Sequence, residues 1–183
     1  MYVWGDIMAL NSEMRGLINE MAESIRGFFG IKGVINDIDA VVEEMGGIVI
    51  EDVDIDGFSD GKIKKTGDNS FEITVSPFQS NERRNFTIAH ELGHLFLHMG
   101  YITNQEMWEH QNKEVYYRNG TSMQEYQSNE FAAAFLMPRK EYKEVMLRYS
   151  DEQWVNTSKV AEHFRVSVDA AANRGKWLGY LRW

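Results

Sequence analysis

His90-Glu91-Leu92-Gly93-His94 sets two imidazoles four residues apart with a carboxylate beside the first. On an α-helix, residues four apart lie one turn above each other on the same face. Both rings can therefore converge on one divalent ion, at about 2.0–2.1 Å for zinc. Glu91 is turned about 100° from His90, which suits it poorly as a ligand and well as a base for a water on the ion's open side. A pair of surface histidines is the alternative reading. Against it, Ile88, Leu92, Leu95 and Met99 fill the opposite face, flanked by Phe86, Ala89 and Phe96, so the helix is largely buried. Buried imidazoles must find partners. Gly93 costs roughly 1 kcal/mol in mid-helix relative to alanine, which makes sense if another backbone passes close by.

A catalytic zinc site usually has three protein ligands and one open position. His98 is a poor third ligand, because on a straight helix it stands about 12 Å along the axis from His90. Nor does the spacing follow the longer metzincin pattern, whose glycine and third histidine would fall at Leu97 and Gly100. His98 is therefore expected to be structural or to brace a ligand. Further on, Glu125 and Asn129 share a helix face, so one could ligate while the other orients a ligand by a hydrogen bond. Glu130 is about 140° round from Glu125 and cannot ligate beside it from one regular helix. Ser122-x-x-Glu125 also reads as a capping box, in which the carboxylate only closes the helix start. On spacing alone both roles of Glu125 stay open.

These residues need elements to hold them. Apolar positions at helical spacing predict a helix over 7–29, a second over 37–45 stopped by Gly46-Gly47, and a long one over 81–98 stopped by Gly100. Short β-like stretches fall at 48–50, 63–65 and 71–75, the last alternating Phe71, Ile73 and Val75 with Glu72 and Thr74. Residues 101–120 are polar and lack periodicity, and a connection of that length suggests a lid. Helices are predicted over 122–137, 138–149, 157–164 and 167–181. The class is α+β, with a main domain over 1–150 and a small C-terminal helical subdomain over 151–183 packed on it.

Composition narrows the chemistry. The 183 residues contain no cysteine, so any metal is held by nitrogen and oxygen, and thiolate sites and cysteine nucleophiles are excluded. The formal charge of −9 argues against a general nucleic-acid or anionic-membrane binder. Nine acids and no base lie between residues 36 and 60, which reads as a solvated face rather than a cation site. The longest apolar run, 131–137, is far short of the roughly 20 residues that span a bilayer. Asp6, Glu13 and Glu20, with no base before Arg15, do not read as a signal peptide, so a cytoplasmic location is expected.

Residues 84–98, reading RNFTIAHELGHLFLH, resemble the core of ImmA/IrrE-type metallo-endopeptidases. That family's second block, E-x-x-A-N-x-F-A-x-x-L-M-P, is matched from Glu125 through Asn129, Phe131, Ala132, Leu136 and Met137 to Pro138, with Ser128 where alanine is usual. The resemblance implies a gluzincin-like, zincin-like fold: a short, mostly antiparallel sheet packed against the helix of His90 and His94, then a helix-turn-helix-like C-terminal unit. It implies zinc (manganese or iron being alternatives) on His90, His94 and Glu125, Glu91 as catalytic base, and Glu130 as reserve ligand. It further implies a protein substrate, commonly a helix-turn-helix repressor encoded nearby, whose cleavage derepresses phage, mobile-element or stress genes.

Two further expectations concern substrate and partners. If 71–75 forms a sheet edge, Phe71, Ile73 and Val75 belong to a strand that could hold a substrate as an added strand. Help for a developing oxyanion is sought from Tyr116, Tyr117 or His110. Residues 157–183 carry a net charge of +3 and the rhythm of a helix-turn-helix, which raises a competing class: a metal-binding regulator or protein-binding module without proteolysis. Asp169 and a run of alanines stand where base-reading side chains would sit, so direct DNA binding is not expected.

Overall fold

The computed structural model describes residues 10–53, 60–111, 123–151 and 154–182. The described residues form eight helices and one three-stranded sheet, so the class is α+β. Helix α1 (Ser12–Phe28) starts where the Asn11 side chain accepts the Met14 N–H at 2.7 Å. Helix α2 (Ile38–Glu44) is capped in the same way by Asp37. These polar caps satisfy backbone donors that the first turn leaves without partners. After α2, Gly46 turns the chain with φ +89, a conformation that glycine adopts without penalty, into strand β1 (Gly47–Glu51).

Strands β2 (Gly61–Gly67) and β3 (Ser70–Val75) form a hairpin, and the sheet order is β1-β3-β2. β3 pairs parallel with β1, Gly47 opposite Phe71, and antiparallel with β2, Ile63 opposite Ile73. The sheet is thus mixed, not mostly antiparallel. Nor is β3 an edge: Phe71, Ile73 and Val75 are fully buried in the central strand, which leaves β3 no edge for an added strand. The alternation is that of a half-buried strand, but even its outward Thr74 is buried. That extra burial is what the central position supplies.

Helix α3 (Asn81–Leu97) packs against β2, β3 and α5 (Met123–Leu136), and α1 covers the other side of α5. The expected lid is in part a fixed structure. Asn104 caps a short helix α4 (Gln105–Glu109) that buries Trp108, whose indole N–H donates to the Asp68 carbonyl at 2.5 Å. Residues 112–122, with Tyr116, Tyr117 and the Ser122 of the capping box, lie outside the described residues. Helix α6 (Arg139–Arg148) follows Pro138, and α7 (Thr157–Phe164) and α8 (Val168–Trp177) form the C-terminal pair. Tyr142 donates to the Ala171 carbonyl at 2.7 Å and Arg174 to the Met137 carbonyl at 3.0 Å, joining that pair to α6 and the end of α5. Among the described residues, no helix is long and apolar enough to cross a membrane.

Candidate metal centre

The middle of α3 is buried along a stretch that includes every residue of the His90–His94 motif. His90 and His94 bring their Nε2 atoms to 3.0 Å of each other, one turn apart. Glu125, in the first turn of α5, faces both: Oε2 lies 3.3 Å from His90 Nε2 and Oε1 lies 3.2 Å from His94 Nε2. The three side chains offer two nitrogens and a carboxylate within 4.8 Å of one another. Glu91 is 2% exposed and sits beneath the start of β2, where a Cβ built on Gly61 would come within 3.1 Å of its Oε1. A bare hydrogen here keeps the strand close over the carboxylate.

What holds α5 against α3 is a second glycine. A Cβ on Gly93 would lie 2.9 Å from Ser128 Cα and 3.0 Å from its carbonyl oxygen. This is the close backbone that a mid-helix glycine requires, and it fixes the level at which Glu125 faces the histidines. Gly93→Ala is therefore expected to destabilise the chain despite better helix propensity. Overpacking costs about 1–3 kcal/mol, against a propensity gain of at most about 1 kcal/mol. Urea denaturation checks this, and a stabilised variant would show that the helices have room to spare.

Asn129, one turn beyond Glu125, sets its Oδ1 2.8 Å from His90 Nδ1. An amide oxygen only accepts, so Nδ1 carries the proton and the lone pair of a neutral His90 is on Nε2. That lone pair then points at the carboxylate of Glu125 and at the second imidazole. Three electron-rich groups so close together are reconciled by a shared cation, which is how this donor set fits a divalent metal ion. Burial alone would raise the Glu125 carboxyl, but His90 and His94, which donate and carry charge when the shared cation is a proton, outweigh it and hold it well below the usual carboxylate range. Glu125 is thus an anion, as a ligand must be.

His98 does not join the cluster. Its Nε2 lies 3.3 Å from the Gln124 carbonyl and its ring 5.4 Å from that of His94, so it ties the end of α3 to the start of α5 next to Glu125. Burial, then the neighbouring His94, push it down to about 4, so at neutral pH it is an uncharged donor. His110 caps α4 with Nδ1 2.7 Å from the Glu106 carbonyl. Glu130 turns away altogether. Its carboxylate takes Arg15, Asn19 at 2.7 Å and Arg174 at 3.2 Å, which leaves it no role as reserve ligand.

The model of the IrrE N-terminal-like domain, Peptidase_M78, matches residues 51–176. The chain belongs to this family. The match covers β2, β3, α3, α5 and most of the C-terminal pair, hence all the residues of the cluster. Among solved structures, a Mycobacterium tuberculosis transcriptional regulator is similar with a TM-score of 0.57 at 19% identity, over 88% of this chain and 50% of that one. The IrrE N-terminal-like chain thus spans about half the length of that structure, and the likeness is one of fold. No curated protein matches the sequence.

Proposed function

We propose that the chain is a metal-dependent endopeptidase that hydrolyses a peptide bond in a protein substrate, with His90, His94 and Glu125 as ligands and Glu91 as base. The observation that carries this reading is the meeting of the two Nε2 atoms and the Glu125 carboxylate at 3.0–3.3 Å, with Glu91 buried beside them. A divalent ion held there, with zinc first among zinc, manganese and iron, supplies Lewis acidity that lowers the pKa of water and polarises a carbonyl. Glu91 takes the proton of the attacking water as the new C–O bond forms. It returns that proton to the amine nitrogen as the C–N bond breaks. A base suited to both transfers must be shielded from bulk water, and Glu91, 2% exposed beneath Gly61, is so shielded.

The strand that would hold the substrate is β2 rather than β3. Among the described residues β2 is an edge strand, and its first residue lies over Glu91. An extended segment added along it would run past the base. For the substrate we favour a helix-turn-helix repressor encoded nearby, cleaved to relieve repression, in keeping with the family resemblance and a cytoplasmic setting. We take residues 151–183 as a unit packed on the 1–150 domain that docks substrate or completes the fold, not one that reads DNA. In support, Arg174, one of its five bases, is buried, and Asp169 occupies the first turn of α8.

Incubating the chain with the helix-turn-helix protein encoded beside it tests the reading, with zinc, manganese, iron or a chelator in parallel. Discrete fragments that the chelator abolishes are expected. Intact substrate under every metal would sink it. The same preparation tests Asn129, whose bond to His90 fixes the tautomer: Asn129→Ala should bind zinc about 10–100-fold more weakly by chelator competition. An unchanged affinity would mean that His90 needs no such partner.

A further inference from the structure

We propose that a cavity bordered by Asn129, the residue whose side chain meets His90, is a binding site for a small aromatic carboxylate. The cavity, ≈ 390 Å³, lies between α1, α3, α5 and α8, and a site of that size takes a one- or two-ring molecule. Its walls are Phe86, Tyr126, Ala133, Ala170 and Trp177. Tyr126 and Trp177 are 40% and 46% exposed and come from different helices, so two partly open aromatic side chains border one space. Apolar residues shaped this way suit a flat ring.

Charge specifies the rest. Two guanidiniums, Arg15 and Arg174, border the cavity and share the carboxylate of Glu130, which lines it too. Arg174 is 2% exposed; its Nε and Nη1 are used by Met137 and Glu130, while Nη2 has no hydrogen-bond partner among the described residues. Arg15 lies over the Trp177 ring at 3.6 Å and keeps part of its side chain open, so an anion can reach it. A clamp between helices would need neither a void nor exposed rings. A carboxylate at Arg15, with its ring against Trp177 and Tyr126, uses both. Asn129 also lines the cavity, so an occupant would touch the amide whose Oδ1 faces His90.

The site is independent of peptide hydrolysis and can be tested without metal. The metal-free chain is titrated with indole-3-acetate, or with indole-3-acetamide, which has the same ring and no charge, while NMR follows the Trp177 indole and Asn129 amide signals. Saturable shifts with the acid are expected, with the amide weaker by about tenfold or more. Arg15→Gln should cost about the same factor, and Ala133→Phe, which fills the cavity, should abolish the shifts. Signals that stay put up to about 10 mM acid, or equal binding of acid and amide, would overturn the proposal. So would undiminished binding by Arg15→Gln.

Discussion

Glu91→Gln is expected to retain its metal and to lose cleavage by about 10²–10⁴-fold, the usual range for removing a general acid–base group. Glutamine keeps the shape of a side chain that is 2% exposed and packed under Gly61, so the fold has no reason to change. The proposed ligands are His90, His94 and Glu125, none of which is altered. What disappears is the capacity to take a proton. Elemental analysis with single-turnover rates on the same material separates the two effects. A variant that cleaves at the parental rate would remove Glu91 from the chemistry. One that loses its metal as well would make Glu91 part of the binding set.

The pairing of the two histidines was legible in the sequence because it depends on helix geometry alone. A spacing of four brings rings together wherever the helix lies. Glu125 was legible only in part. A capping carboxylate and a ligating one have the same local spacing, and the distinction lies in what stands opposite, 31 and 35 residues back along the chain. Gly93 was informative for the opposite reason: a costly residue in mid-helix announces a tertiary contact, although it does not say that the partner is Ser128. Strand order was not legible. The pattern of Phe71, Ile73 and Val75 reports one buried face, while the middle position depends on β1 arriving alongside in parallel. In the supposed lid, the five residues of α4 are polar apart from Met107 and Trp108, and the helix is held by the Asn104 cap and the bond from Trp108 to Asp68. Periodicity has nothing to detect in so short a segment.

Glu130 shows the same limit with a larger energetic consequence. From the sequence it could be excluded as a ligand alongside Glu125, but its partners Arg15 and Arg174 lie 115 and 44 residues away and nothing local points to them. The structure makes it the anion that joins α1, α5 and α8. Removing it strands the buried Arg174 and leaves Arg15, among the described residues, with the Trp177 ring, and breaking a buried pair in this way costs about 3–5 kcal/mol. Glu130→Ala is therefore expected to lower the melting temperature of the metal-free chain by about 6–20 °C, taking about 2–4 °C per kcal/mol for a domain of this size. The loss should sit in the stranded charge rather than in the missing contact. Replacing Arg15, Glu130 and Arg174 together by leucine or methionine should then recover much of it, since apolar residues of similar volume leave no ion without a partner. Calorimetry on the single and triple variants decides the matter. A single variant within about 1 kcal/mol of the parent would mean that water reaches Arg174 once Glu130 is gone, and that the three helices are held by packing alone.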